Sequence, residues 1–147
     1  MTCGFHLAGQ CSNGDGTFFL GEWRATNLAA SQTNVLFNRA TGNSTGVQIP
    51  QNCTLIGWGC YMDNLGLSNP VAGAAMTIKA IRVTVAGAAQ TAVTIGTVDI
   101  GETNVVKVAS TPIDFSAAEI VYPNFTTPAG WSNLTCDPEV YLIFRPR

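Results

Sequence analysis

Charged residues are scarce in this chain. They make up 11% of its 147 residues, against about 25% in a typical soluble domain. The net charge is −2, with seven Lys and Arg against nine Asp and Glu. Proteins bind nucleic acids and anionic membranes through clustered basic residues, and the only basic cluster here is Arg145 with Arg147. The composition therefore predicts a protein that binds neither nucleic acid nor membrane.

Long apolar stretches and a leader segment are also missing. The first residues, MTCGFHLAGQCSNGDG, lack the basic and apolar regions of a signal peptide. Residues 83–98 are uncharged, but Thr, Gln and Gly interrupt them, and they are shorter than the about 20 apolar residues of a membrane helix. We therefore expect the chain to be made in a cytoplasm, or exported by a route that this sequence does not reveal.

Histidine is nearly absent, and the cysteine count is odd. Cys3, His6 and Cys11 offer three metal ligands, whereas structural zinc takes four at recognisable spacing, so we expect no metal and no other cofactor. Five cysteines argue against a fully paired disulfide framework. Cys53 and Cys60 would face opposite ways in one regular strand. We expect mostly reduced thiols, with Cys3 and Cys11 as the only pair worth testing as a disulfide.

Motifs that carry catalysis are equally scarce. The chain has neither a dinucleotide-binding glycine fingerprint nor a phosphate-binding loop. Asp137 and Glu139 have the spacing of two carboxylates on one strand face, as glycoside hydrolysis would need. Pro138 between them marks the beginning of a strand, where solvated carboxylates are common. We predict that the protein is not an enzyme.

Alternating apolar residues predict two long strands in the middle of the chain. In residues 54–62 one face would carry Ile56, Trp58, Cys60 and Met62, and the other Leu55, Gly57, Gly59 and Tyr61. In the second strand the apolar positions change parity between Ile78 and Ile81. This change predicts a β-bulge near Ala80; the alternative is that one strand ends and another begins there.

Further short strands are predicted at residues 17–23, 33–39, 92–100, 103–109 and 139–145, with a hairpin turn at Gly101-Glu102. Residues 123–138 contain three prolines and are predicted to be mostly loop. Short strands separated by Gly, Pro and Asn are typical of an all-β antiparallel sandwich. Residues 1–23 are interpreted as an N-terminal arm with the first strand, and residues 24–147 as the sandwich domain.

The last predicted strand is apolar on both faces. Val140, Leu142 and Phe144 share one face, and Tyr141 and Ile143 share the other. A sandwich strand with one solvated face should alternate between apolar and polar residues. The pattern predicts a subunit interface or cover by another chain segment. The alternative is a central strand beneath a loop, such as the loop that carries Trp131.

Three segments together resemble small jelly-roll structural proteins of tailed bacteriophages. They are RATNLAASQTNVLFNR, VQIPQNCTLIGWGCYMDN and AAMTIKAIRVTVAG, within a stretch from Arg24 to the C-terminus. The resemblance lies in strand order and turn chemistry rather than in a signature motif. It implies a jelly-roll fold, a homotrimer, and a function in binding a surface. The family includes capsid decoration (cement) proteins and modules of tail fibres and baseplates.

The resemblance also suggests how the N-terminal part could act. In a decoration protein the arm would reach over neighbouring subunits, and Phe18, Phe19, Trp23 and Arg24 would anchor it. Aromatic residues and Arg contribute most of the binding energy at interfaces. The alternative is that the Phe pair and Trp23 fill the core of their own domain.

We therefore expect a virion structural protein that decorates and stabilises a phage capsid by binding the major capsid protein. It would be made in the host cytoplasm and lie on the capsid surface. The alternative is a tail-fibre or baseplate module that binds a host-surface glycan, with Trp131, Asn133 and Asp137 as contacts. A third, weaker possibility is a cellular carbohydrate-binding module appended to an enzyme.

Overall fold

The computed structural model describes residues 11–12, 16–26, 28–39, 46–62, 74–84, 89–131 and 136–147. These residues form strands and turns and contain no helix. The strands are β1 (Cys11–Ser12), β2 (Phe18–Arg24), β3 (Val35–Leu36), β4 (Asn38–Arg39), β5 (Val47–Gln48), β6 (Cys53–Tyr61), β7 (Ala75–Val83), β8 (Gln90–Asp99), β9 (Asn104–Phe115), β10 (Ile120–Thr126) and β11 (Glu139–Pro146). A search of the same residues finds no helix long and apolar enough to cross a membrane.

Two antiparallel sheets pack face to face. The six-stranded sheet has the order β1-β2-β11-β6-β9, with β4 also paired to β2, and the five-stranded sheet has the order β3-β10-β7-β8, with β5 also paired to β10. Without the two-residue strands β1 and β4, and with β3 and β5 counted as one strand, eight strands remain. When these eight are numbered in chain order, one sheet has the order 1-8-3-6 and the other has the order 2-7-4-5. This interleaved order is typical of a jelly roll. The predicted all-β antiparallel sandwich is confirmed.

The first long strand belongs to the sandwich. β2 pairs with β11 along its length, from Phe18 opposite Phe144 to Arg24 opposite Glu139. The two-residue strand β1 pairs with β2 at Phe18 and Phe19. Residues 1–10 of the predicted arm lie outside the described part of the chain, and so does Cys3, whose pairing with Cys11 was suggested.

Aromatic side chains fill the space between the sheets. Among the described residues, those at most 2% exposed are Trp23, Trp58, Trp131, Phe37, Phe115, Phe125 and Phe144. The rings of Phe18 and Phe144 stack with centroids 5.3 Å apart, and those of Phe37 and Phe125 tilt together at 4.9 Å. Such pairs contribute about 0.5–1.5 kcal/mol each beyond their burial.

A bulge in β6 corrects the predicted faces of that strand. Leu55 pairs with Phe144 and Gly57 with Ile143, so Ile56 is an extra residue between two β11 neighbours. The bulge changes the parity of the strand. Cys53 and Leu55 therefore face the core, as Trp58 and Cys60 do further along, while Ile56 lies outside the core cluster. The prediction that Cys53 and Cys60 face opposite ways is thus wrong, because it assumed a regular strand.

The bulge predicted near Ala80 is close to its predicted position but lies in the neighbouring strand. Ile78 pairs with Gly96 and Lys79 with Thr94, so the extra residue is Ile95 of β8. β7 itself pairs with β10 in continuous register. Ala80 faces the core, whereas Ile81 is buried outside the core cluster. The parity change in the sequence reflects apolar residues on the outer face of β7.

The stretch predicted as loop from residue 123 begins inside a strand. Pro123 pairs with Ala80 of β7 near the middle of β10. On the other side of β10, β5 pairs with Ile120 and Val121, and β3 with Asn124 and Phe125. Pro123 therefore lies at the gap between two short partner strands, where a missing N–H interrupts no ladder.

Candidate functional site: an apolar sheet face with a charged cleft at its edge

The outer face of the six-stranded sheet is apolar, although an exposed sheet face is usually polar. The register aligns two rows of residues across its central strands, Phe19–Ile143–Gly57–Val108 and, beside it, Tyr141–Gly59–Val106. We call the five side chains of these rows the apolar face: Phe19, Val106, Val108, Tyr141 and Ile143.

The two valines project furthest from this face. Val106 is 66% exposed and Val108 is 82% exposed, while the other three side chains of the apolar face are half-buried. A groove of about 200 Å³ lies beside the valines, where Ile56 and Ile143 contribute to its walls. Contiguous exposed apolar surface of this kind marks interaction sites in folded proteins.

Two glycines keep the apolar face flat. A Cβ on Gly59 would overlap the Tyr141 ring, and one on Gly57 would lie 3.0 Å from Lys107 O. Without those atoms the Tyr141 ring lies against the sheet, with Phe19 at its edge and 6.1 Å between centroids. Burial raises the pKa of the Tyr141 phenol, so this ring is neutral over the physiological range. The result is a flat, uncharged surface.

The outer face of the opposite sheet is different. It carries polar contacts, such as Lys79 Nζ donating to Asn34 Oδ1 at 2.9 Å and Tyr122 Oη donating to Gln90 Oε1 at 3.2 Å. The register also aligns apolar residues there, with Ile81 and Val83 of β7 opposite Tyr122 and Ile120 of β10, but Ile81 is buried. Among the described residues, the two most exposed large apolar side chains are Val106 and Val108 of the six-stranded sheet.

A cleft lies at one edge of the apolar face, where β2 and β6 end and β11 begins. Arg24, Glu139 and Tyr61 are aligned across these three strands. Beyond them, Ala25 N donates to Pro138 O at 3.0 Å and keeps the two chain segments together. The cleft has a volume of about 270 Å³, and its lining residues are Arg24, Ala25, Thr26, Tyr61, Asp137 and Glu139. We call it the charged cleft.

An ion pair crosses the charged cleft. Arg24 Nε and Nη2 donate to the same oxygen, Glu139 Oε2, at 2.9 and 2.8 Å. The pair is accessible, since its side chains are 59% and 34% exposed. Tyr61 is 54% exposed. The two carboxylates noted in the sequence, Asp137 and Glu139, thus lie in one cleft, where Glu139 forms an ion pair with Arg24.

The four residues suggested as partner contacts divide into two pairs. Phe18 and Trp23 are 6% and 0% exposed and fill the core, as the alternative interpretation expected. Phe19 and Arg24 lie on the outer surface, Phe19 in the apolar face and Arg24 in the charged cleft. Side chains alternate along a strand, so neighbouring residues of β2 face opposite ways.

The three suggested glycan contacts also separate. Trp131 is 2% exposed and belongs to the core cluster, so its ring offers no face to a sugar. Asn133 lies outside the described residues. Asp137 lines the charged cleft. Tyr61 is the aromatic residue exposed beside Asp137.

Two of the buried cysteines are chemically unreactive. Burial raises the pKa of Cys60 and raises that of Cys53 to about 11, so both thiols are protonated near neutral pH and are poor nucleophiles. Among the described residues, no group of three or more His, Cys, Asp or Glu could hold a metal ion. Cys3 and His6 lie outside these residues.

Residues 42–46, GNSTG, have the G-x-S-x-G spacing of a hydrolase nucleophile turn. That turn connects a strand to a helix in α/β enzymes, whereas the described chain is an all-β sandwich. Residues 42–45 themselves lie outside the described part.

Val106 and Val108 are exposed residues that were not expected from the sequence. A signal for these valines is present, because Val105, Val106 and Val108 place apolar side chains on both faces of β9. This is the pattern noted for β11. Tyr61 lies on the face of β6 opposite Trp58 and Cys60, as the predicted alternation has it, but its place in the cleft depends on β2 and β6 ending where β11 begins.

Comparison with known proteins gives no relative from which a function could be transferred. The sequence matches no protein-family model. It also shows no significant similarity to a curated protein.

Proposed function

We propose that the protein is a structural component of a phage particle, whose copies associate through the apolar face and dock on the particle as a trimer. The observation that carries this proposal is the alignment of five apolar side chains on one outer sheet face. Val106 and Val108 there are 66% and 82% exposed. The resemblance to phage jelly-roll proteins is the reason for proposing a phage particle. The apolar face is the surface through which the copies would associate.

Burial of the apolar face favours association without help from charge. Fully burying a valine contributes about 1.5–3 kcal/mol, so the exposed parts of the two valines contribute about 2–4 kcal/mol for each chain. The flatness of the face suits a second rigid protein surface. An interface poor in charged residues at its centre is typical of stable complexes.

The first partner in this proposal is the chain itself, as a homotrimer. In a closed threefold ring every copy uses the same two complementary surfaces, so that no open filament forms, and the apolar face would be one of these two surfaces. The second partner is the major capsid protein. A trimer that docks on a threefold lattice position binds through three equivalent contacts, and this multivalency turns a weak single contact into stable decoration.

The self-association is tested by placing charges on the apolar face. Val106→Asp combined with Val108→Asp should convert the trimer into a monomer at micromolar concentration in sedimentation velocity, because two carboxylates would have to be desolvated in each interface. Thr91→Asp with Thr97→Asp, at exposed positions of β8 in the other sheet, is the matched control and should stay trimeric. A wild-type protein that is monomeric at this concentration contradicts the proposed trimer.

The location is tested on purified phage particles by electron cryo-microscopy. Density that fits this sandwich at capsid threefold or quasi-threefold positions is the expected result. Density on the tail instead would overturn the capsid assignment and support the tail-fibre alternative. Particles carrying the doubly substituted chain should lose this density, because a monomer would dock through a single weak contact instead of three.

A further inference from the structure

The charged cleft presents hydrogen-bond donors and acceptors side by side. Both contacts of the Arg24–Glu139 pair use Oε2 of the glutamate. The second carboxylate oxygen, Oε1, and the remaining terminal nitrogen of Arg24, Nη1, take no part in this pair. Such neighbouring acceptor and donor groups match two adjacent hydroxyl groups, since each hydroxyl both donates and accepts. Thr26 adds a further hydroxyl on the same wall.

Tyr61 gives the cleft an apolar wall. Its side chain is 54% exposed, and it stands next to Glu139 across the β6–β11 pairing. An aromatic ring has an apolar body and a polar tip. A pyranose ring is built the same way, with a face of C–H groups and an edge of hydroxyls. The face can pack on the tyrosine while the edge reaches the ion pair.

The charges of the cleft restrict the ligand. The charged side chains that line the cleft are one guanidinium, from Arg24, and two carboxylates, from Asp137 and Glu139, so the formal charge of these three is negative. An anionic sugar or a phosphate would meet like charge there. A volume of about 270 Å³ lies just below the usual range for drug-sized ligands, which begins at about 300 Å³, and this suits a small ligand.

We propose that the charged cleft binds the ring of a neutral saccharide, with Tyr61 as the stacking surface and the Arg24–Glu139 pair as the hydroxyl-binding group. This site overlaps in part with the residues suggested by the sequence. Of the two that the structure describes, Asp137 lines the cleft, whereas Trp131 lies in the core, and Tyr61 takes the aromatic role. The site also stands apart from the apolar face, since neither Val106 nor Val108 lines it.

The test is a saturation-transfer NMR titration of the full chain with methyl glycosides. Methyl glucoside, methyl galactoside and methyl mannoside are the neutral probes, and the methyl glycoside of N-acetylneuraminic acid is the anionic probe. At least one neutral glycoside should bind, with a dissociation constant of about 1 mM, as expected for a ligand of this size. The anionic probe should bind at least about tenfold more weakly. The proposal is overturned if no neutral probe shows transfer up to about 20 mM, or if the anionic probe binds best.

Variants locate the binding in the cleft. Tyr61→Ala should weaken binding about two- to tenfold, while Tyr61→Phe, which keeps the ring, should bind within about twofold. Tyr122→Ala on the opposite sheet is the matched control and should bind as wild type. Unchanged binding in Tyr61→Ala would assign the saccharide to another place and overturn the proposal. Circular dichroism and the unfolding midpoint show whether each variant is folded, and Tyr61 is exposed enough for its loss to leave the core intact.

The ion pair is tested in the same way. Glu139→Gln keeps the shape of the side chain but removes the charge that aligns Arg24, and should weaken neutral glycoside binding about tenfold. Asp114→Asn breaks a comparable exposed pair with Arg147 and should leave glycoside binding unchanged. Val106→Asp with Val108→Asp separates this inference from the proposed function, since glycoside binding should survive in that variant even where the trimer does not.

Discussion

Trp58 connects the two sheets by a buried hydrogen bond. It lies on β6 of the six-stranded sheet and is fully buried. Its Nε1 donates to Ile95 O of the five-stranded sheet at 2.9 Å. Ile95 is the bulged residue of β8, so its carbonyl is turned out of the ladder and is satisfied by the indole instead. The bulge and the tryptophan therefore depend on each other.

Gly96 makes this arrangement possible, and its substitution is the first prediction. A Cβ at Gly96 would lie 2.5 Å from Trp58 Cζ2, and a fully buried ring has no space to move into. Gly96→Ala should lower the free energy of unfolding by about 1–3 kcal/mol, the usual cost of overpacking. Urea denaturation followed by tryptophan fluorescence measures this change.

Gly130→Ala is the matched control for this substitution. A Cβ there would lie 4.0 Å from Ala74 Cβ, an ordinary contact distance. Its stability should stay within about 0.5 kcal/mol of wild type. Equal stability of the two variants would show that the Trp58 ring adjusts freely and would contradict the account given above.

At the scale of elements, the turn between β9 and β10 is held by one buried carboxylate. Glu119 is 5% exposed at its side chain and accepts from Arg82 Nη2 of β7 at 2.8 Å. It also accepts from the Ser116 backbone N at 2.8 Å, which closes the turn in which Ala118 has φ 69°. Burial by itself would raise the pKa of Glu119, but the hydrogen bonds and the charge of Arg82 outweigh it and lower this pKa.

The lowered pKa predicts how stability depends on pH. The unfolded chain takes up the proton first, near the ordinary glutamate pKa of about 4.3. The contribution of Glu119 is therefore present above that pH and is lost as the pH falls through the folded pKa. Glu119→Gln should reduce the free energy of unfolding by about 1–3 kcal/mol at neutral pH, and its difference from wild type should shrink towards acid pH. Urea denaturation at several pH values measures this difference, and a difference that is constant with pH would contradict the prediction.

The edge strands of both sheets are protected against pairing with a further strand. β8 ends the five-stranded sheet, yet two of its carbonyls accept hydrogen bonds from β9 of the other sheet. Lys107 Nζ donates to Thr97 O at 2.8 Å, and Ser110 Oγ donates to Thr94 O at 3.2 Å. At the opposite edges, β1, β3, β4 and β5 are only two residues long. Both devices discourage further strand addition, so the proposed association would use a sheet face and not a sheet edge.

At the scale of the whole molecule, low charge and one apolar face predict how association responds to salt. Interactions between exposed charges are largely screened within about 3 Å at 1 M ionic strength, whereas apolar burial is not. The proposed trimer should therefore persist in sedimentation velocity as NaCl is raised from about 0.1 M to about 1 M. Dissociation over this range would show that charge, and not the apolar face, holds the copies together.

The strands could be predicted because they depend on local patterns. The alternation of Val35 and Phe37 against exposed Leu36, and the two-faced pattern of β11, follow from neighbouring residues alone. Six of the seven strands that have seven or more residues lie within a few residues of their predicted positions, although β9 continues through Pro112 beyond its predicted end. The seventh, β10, was not predicted, and its second half lies in residues predicted as loop. Low charge and the absence of strong catalytic motifs are also properties that the amino-acid sequence determines by itself.

Tertiary structure decided what the strands present to each other and to a partner. The bulges at Ile56 and Ile95 depend on residues from strands far away in the chain, and a shift of one residue exchanges core and surface. The same non-local pairing places Pro123 at a gap, buries Trp131, and aligns Val106 with Tyr141 across Gly59. It also brings the last residues of β2 and β6, Arg24 and Tyr61, next to Glu139, the first residue of β11, and these three residues contribute to the charged cleft. Local sequence sets the alternation of a strand, but only its partners determine which side faces the core.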